Sequence, residues 1–264
     1  MTSARSLELK LRDVHLWFAV PQTIVERNLA DTYRQLLSDD ERARERRFHF
    51  ERDRNTFLVT RVLVRTVLSK YDIDVPPERW RFEADDHGRP ALHGEAHAID
   101  GLSFNITHTD GLVGLVLARG RATGIDAEKV NKRPAPLELA EHFFAAAEAA
   151  DLRRLPLPEQ GDRFYEYWTL KESYIKARGL GLSLPLQKFS FDIHADRTVS
   201  LSVDPSIGDT ASRWQFWQFR PSRDHVAAVC IARVEKFGPE LSFRSSVPLV
   251  ADETLEVVML RNSV

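Results

Sequence analysis

Cysteine is nearly absent: Cys230 is the single one in 264 residues. One thiol excludes an internal disulfide framework and fits a reducing cytosol. It lies in the apolar stretch HVAAVCIA, which predicts a small buried core residue. Long hydrophobic runs are also missing. No segment approaches the ~18 apolar residues of a membrane span, and no apolar stretch follows a basic start. An excess of either charge is lacking too. The 37 basic and 39 acidic residues leave a net charge of −2, so coating of a polyanion is not expected and any basic patch must be local. What remains is ordinary globular composition, 43% apolar and 29% charged, in a chain long enough for one large domain or two small ones. The expectation is a cytoplasmic protein with neither a membrane nor a nucleic-acid partner.

Residues 7–20 alternate and predict a first strand. Ser38 and Glu41 have capping-box spacing and predict a helix start. From Arg42 a long helical periodicity runs through Phe48, Phe57, Val64 and Leu68, and Pro76-Pro77 ends it. A polar, turn-rich section containing DDHGRPAL follows, then a strand pair around 102–118. Helices are expected near 137–152 and 163–178, and turn-punctuated strands over 188–234. Helix-then-strands thus occurs twice without a linker between. The fold class is therefore α+β: two similar halves, each a small, mostly antiparallel sheet with packed helices. The expected divisions are an N-terminal half, 1–120, a C-terminal half, 121–240, and an extension, 241–264, forming a final strand or a partly ordered tail.

Two segments hold the acids of interest, GIDAEKV at 124–130 and WTLKESYIKARGLGL at 168–182. The apolar run GLVGLVLARGRATGI before the first predicts a hairpin turning near Gly120. Asp126 and Glu128, at i and i+2, then lie on one side of a strand with α-carbons about 6.6 Å apart. In the second segment Trp168, Glu172, Ile175 and Lys176 recur with helical spacing, so Glu172 and Lys176 share a face. Two readings stand. The acids are the solvated face of an edge strand, or they gather one hard divalent ion, Mg²⁺ or Mn²⁺, since no Cys or His accompanies them. The aromatic mass around Glu172 argues against a purely solvated helix face.

FNITHTDG places Thr107, His108 and Thr109 together as donors suited to a phosphate. The bland reading of His108 is a satisfied surface or core histidine. The arginines of RARERRFHFERDRN, Arg44 and Arg47 among them, interleave with Glu41, Glu45 and Glu51, which predicts a salt-bridged helix face. Arg89, between Gly88 and Pro90, is a turn-fixed guanidinium suited to bidentate phosphate binding. His93 and His97 imitate a zinc helix, but Pro90 and Gly94 argue for a loop and no third soft ligand is near.

Together, GRP at 88–90, FNITH at 104–108, GIDAEK at 124–129 and WTLKESYIKARGLGLSLPL at 168–186 resemble the 4′-phosphopantetheinyl transferases of the surfactin-synthetase-activating type, over residues 36–234. The resemblance implies a fold of two halves about a pseudo-twofold axis. It implies transfer of the phosphopantetheine arm of coenzyme A to a serine of an acyl, peptidyl or aryl carrier protein, in fatty-acid, polyketide or nonribosomal-peptide synthesis, releasing adenosine 3′,5′-bisphosphate. By position, Asp126, Glu128 and Glu172 correspond to Mg²⁺-binding acids. Lys176, His108 and the adjacent Thr107 correspond to phosphate contacts. Arg89 corresponds to a contact of the 3′-phosphate, and Arg44 and Arg47 to a basic cluster at coenzyme A. Glu172 is the candidate base, with Lys176 and His108 stabilising charge. Phe143 and Phe144 fall in the region that resembles the carrier-docking helix. Both halves in one chain imply a monomer. The rivals are a Mg²⁺-dependent phosphohydrolase, which lacks its usual Asp-x-Asp loop here, and a non-catalytic coenzyme A or carrier-binding module, which has no need of three acids.

Overall fold

A computed structural model describes residues 6–84, 90–92, 100–130, 137–234 and 238–263. The chain divides into two compact units, residues 1–120 with 237–255, and residues 121–236 with 256–264. Each is α+β, as the residue patterns led one to expect.

In the first unit, β1 (Asp13–Ala19) leads through two short helices, α1 (Thr23–Glu26) and α2 (Ala30–Gln35), into α3 (Asp39–Glu45) and α4 (Glu51–Tyr71). The hairpin β2 (Phe82–Ala84) and β3 (Pro90–Leu92) and the strands β4 (Leu102–Thr109) and β5 (Leu112–Arg119) follow. Asp110 and Gly111 turn β4 into β5, with Gly111 at φ 85°, the conformation a two-residue hairpin loop requires. The α3 start is as spaced: Ser38 Oγ accepts from the Glu41 amide, and the Glu41 carboxylate accepts from the Ser38 amide.

The single long helix expected from Arg42 onward is broken between α3 and α4, and the cause is electrostatic. Glu41 contacts Arg61 and Arg65, its Oε1 lying 2.6 Å from Arg61 Nε and its Oε2 2.5 Å from Arg65 Nη2. In an unbroken helix those partners would lie about 30 Å or more along the axis, so the chain must fold back. Burial alone would raise the Glu41 carboxyl; the two guanidiniums hold it below its ordinary range.

The second unit begins with β6 (Thr123–Lys129), continues with α5 (Leu137–Phe143), α6 (Ala146–Arg154) and α7 (Leu157–Arg178), and ends the matching pattern with β7 (Phe189–Ile193), β8 (Val199–Val203), β9 (Trp214–Ser222) and β10 (His225–Ala232). The helix expected over 137–152 is interrupted at Phe144-Ala145, where Glu148 accepts the Ala145 amide at 2.9 Å and starts α6 afresh. Gly179, at φ 68°, caps α7 in the left-handed conformation. The tail supplies β11 (Glu240–Val247), β12 (Ala251–Thr254) and β13 (Val258–Asn262).

Sheet order in the first unit is β12-β11-β1-β5-β4, antiparallel except where β11 runs parallel to β1. In the second it is β13-β9-β10-β6, antiparallel throughout. The hairpin expected at Gly120 is therefore not formed. The neighbours of β5 are β4 and β1, and that of β6 is β10. The unbroken apolar run of β5 reflects a strand buried on both faces, Leu112 to Ala118 all being buried. The first core packs Trp17, Leu63, Val67 and Trp80 against Leu115 and Leu117; the second packs Leu170, Tyr174 and Phe189 against Trp214, Phe216 and Cys230.

Candidate active site

β6, the edge strand of its sheet, meets α7 at Gly124. A methyl group there would stand 2.2 Å from the Ser173 carbonyl oxygen and 2.4 Å from the Ala177 nitrogen, so only glycine permits this approach of strand to helix. The contact aims the next residues. Asp126, 5% exposed, faces Lys176, whose Nζ donates to Asp126 Oδ1 at 2.6 Å and to the Ile125 carbonyl oxygen at 3.1 Å. Glu172 stands one helical turn before Lys176. Burial raises the pKa of its carboxyl, the negative charge of Asp126 raises it further, and Lys176 opposes both. Glu128 lies half-buried two residues beyond Asp126, opposite Val226 of β10.

Among the described residues no group of three or more His, Cys, Asp or Glu side chains is placed to hold a metal ion. The donor chemistry nevertheless suits one. The negative charge of Asp126 disfavours ionisation of Glu172, the Lys176 ammonium offsets that charge, and every candidate ligand atom is a hard carboxylate oxygen.

In the first unit, a cleft of about 760 Å³ is lined by Arg44, Phe57, Arg61, Phe82, Ile106 and His108. Arg44 and Arg47 also line a neighbouring cavity of about 690 Å³. The salt-bridged reading of the arginine-rich stretch holds only in part: Arg42 and Arg52 pair with aspartates and Arg54 with Glu45, but Glu41 is taken by Arg61 and Arg65, and Glu45 also by Arg34. Arg44 and Arg47 consequently form no ion pair with the described residues; Arg44 lies over the Phe57 ring at 5.6 Å. Strand alternation separates the residues of FNITH. His108 is exposed and lines the cleft, whereas Thr107 is buried on the other face of β4, where a methyl at Gly114 would stand 3.0 Å from Thr107 Cγ2. Arg89, His93 and His97 lie outside the described residues.

The sequence pattern of the 4′-phosphopantetheinyl transferase superfamily matches residues 122–230, and that of the N-terminal region of 4′-phosphopantetheinyl transferases matches residues 26–119. The 4′-phosphopantetheinyl transferase HetI of a Nostoc species is 33% identical over 86% of this chain and 91% of its own length. The chain belongs to the 4′-phosphopantetheinyl transferase family. The 4′-phosphopantetheinyl transferase Sfp of Bacillus subtilis is 36% identical over 67% of this chain and 75% of its own. A phosphopantetheinyl transferase of a Thraustochytrium species is 32% identical over 74% of this chain and 70% of its own. The protein is accordingly an enzyme, a transferase of the phosphopantetheinyl group.

This transferase carries one charged pair that spacing did not reveal. Lys171, adjacent to Glu172 but about 100° round the helix from it, is fully buried. Its Nζ lies 2.8 Å from Glu148 Oε2 and donates to the Leu186 and Phe189 carbonyl oxygens at 2.9 and 2.7 Å. Glu148 in turn accepts the Phe191 amide at 2.8 Å, so one ion pair joins α6, α7 and β7. Burial pushes Glu148 up and Lys171 down, each toward its neutral form, and the pairing opposes both shifts. The only sequence signal was Glu148 three residues past Ala145, a capping-box spacing without the usual hydroxyl.

Proposed function

We propose that the enzyme moves the 4′-phosphopantetheine arm of coenzyme A to a serine hydroxyl of an apo acyl, peptidyl or aryl carrier protein, releasing adenosine 3′,5′-bisphosphate. The observation that supports this most is the meeting of Asp126, Glu172 and Lys176 across the Gly124 contact. Two carboxylates and an ammonium held together in this way suit a reaction at a diphosphate, where charge and alignment are the catalytic problem.

Asp126, Glu128 and Glu172 would hold Mg²⁺, or Mn²⁺ in its place. When bound, the ion offsets negative charge on the diphosphate oxygens. Lys176 and His108 bind phosphate oxygens and stabilise the charge that builds on the leaving group. Arg44, Arg47 and Arg89 bind the nucleotide's anionic groups; Thr107, on the far face of β4 from His108, supports that strand rather than touching the ligand. The serine oxygen attacks the phosphorus that carries the pantetheine arm, and the bond from that phosphorus to the bridging oxygen breaks. The hydroxyl proton passes to Glu172, directly or through a water. A carboxyl raised by burial and by Asp126 holds a proton more firmly than an ordinary carboxylate, which suits it to this step. With both halves in one chain, the enzyme works as a monomer in the cytoplasm. Among the described residues no helix is long and apolar enough to cross a membrane.

The test is the intact mass of an apo carrier protein incubated with the enzyme, coenzyme A and Mg²⁺. The carrier is expected to gain one phosphopantetheine group with the native enzyme and nothing with Asp126→Ala. An unmodified carrier beside free phosphate would favour hydrolysis instead.

A further inference from the structure

The matched family regions end at residue 230, yet the last strand, β13, is built into the same sheet as β6. β13 pairs with β9, and a bulge between Met259 and Arg261 sets Arg261 opposite Gln218. The guanidinium turns under α7. Its Nη1 lies 3.0 Å from Glu166 Oε2 and donates to Gln218 Oε1. Gln218, fully buried, donates from Nε2 to the Glu166 carbonyl oxygen at 2.7 Å and to Thr169 Oγ1 at 3.0 Å. Glu166, Thr169, Ser173 and Ala177 recur at helical spacing along the face of α7 that rests on the sheet. That face therefore has two fixed points. One is the backbone contact at Gly124, reached by Ser173 and Ala177, and the other is the clamp of Gln218 and Arg261 on Glu166 and Thr169. Lys171 anchors the helix from another side, so without the clamp the sheet-facing side of α7 keeps only the Gly124 contact to set its roll over the strands.

We propose that Arg261 is a positioning residue for the transfer reaction. The C-terminal strand sets the roll of α7 on its sheet, and with it the placement of Glu172 and Lys176 against Asp126. The proposal rests on the reading of those residues as the working groups.

Two variants test it, with transfer to an apo carrier protein as the assay and thermal melting as the check on folding. Arg261→Gln keeps a hydrogen-bonding side chain opposite Gln218 but drops the charge. Arg261→Met combined with Glu166→Gln removes both charges of the pair, so no buried carboxylate is stranded, and Arg163, which also bonds Glu166 Oε2 at 3.1 Å, keeps its partner Asp151 at 2.6 Å. Each folded variant is expected to lose kcat by about 10-fold to 100-fold, the scale of an ~1 Å misplacement, with KM for coenzyme A within about 2-fold of native. Arg261→Lys, which retains the ion pair, is expected to restore most of kcat. Native kcat per folded molecule in either variant overturns the proposal, as does a loss seen equally in Arg261→Lys. The underlying reading fails separately. Full turnover by Glu172→Gln would remove it whatever Arg261 shows, whereas an inactive Glu172→Gln beside fully active Arg261 variants would remove the clamp alone.

Discussion

Replacing Gly124 with alanine puts a methyl carbon where α7 already has backbone. The new carbon would lie 2.2 Å from the Ser173 oxygen, 2.4 Å from the Ala177 nitrogen and 2.9 Å from the Lys176 carbonyl carbon, against at least 3.4 Å for ordinary contact. No side chain can swing aside, because all three atoms are helix main chain. β6 and α7 must therefore separate by about 1 Å, a shift that typically costs about 100-fold in rate when it misplaces reacting groups. Overpacking of this kind also costs about 1–3 kcal/mol of stability. The Lys176 to Asp126 hydrogen bond of 2.6 Å spans the same junction and stretches with it. The assay is steady-state transfer to an apo carrier protein, with thermal melting measured in parallel. Gly124→Ala is expected to retain its fold, to melt lower, and to lose kcat far beyond the fraction unfolded. A variant with native kcat and native melting temperature would refute the claim that this contact sets the site.

Glu172→Gln is expected to cut turnover far more than it weakens coenzyme A binding, which paired kinetic and equilibrium titrations distinguish. The same variant has a pH signature. Because the folded pKa of Glu172 is raised, the unfolded chain releases that proton first, and the native protein loses stability as pH rises through the interval above the ordinary glutamate value. Glu172→Gln should therefore melt higher than the native enzyme near neutrality, with the difference vanishing in acid below that value. Lys171→Met and Glu148→Gln, made singly, should each cost about 3–5 kcal/mol in denaturant titrations, because each strands a buried partner; the double variant should recover much of the loss. Arg44→Ala and Arg47→Ala should raise KM for coenzyme A and flatten its salt dependence while leaving kcat nearly native, as expected of exposed guanidiniums without carboxylate partners among the described residues.

The placement of Asp126, Glu172 and Lys176, the groups proposed to work in the second unit, was legible because local geometry sets it. A glycine two residues before an acid, and a glutamate and lysine four apart on a helix, need only strand and helix periodicity to be placed. The residues that hold them were not legible. Lys171 and Glu172 are neighbours of similar polarity, yet one is sealed in the core and the other faces Asp126, and burial of a charge depends on a partner 23 positions away. Gln218 and Arg261 meet through a strand pairing and a bulge that no local pattern announces. The break between α3 and α4 follows the same rule. Helical spacing continued through it, but Glu41 needed arginines 20 and 24 residues on, and tertiary pairing overrode local propensity. Alternation along β4 was readable in principle and would have set Thr107 and His108 on opposite faces. The run of apolar residues before Gly120 misled because a strand buried on both faces has the same composition as a hairpin arm.

The most direct measurement is a crystal structure of the enzyme with coenzyme A and Mg²⁺ bound. It should show one cation ligated by carboxylate oxygens of Asp126, Glu128 and Glu172 and by the diphosphate, with Lys176 withdrawn from Asp126 onto a phosphate oxygen. Those three acids turned away from one another around the bound nucleotide, with no cation among them and Lys176 still on Asp126, would contradict the account.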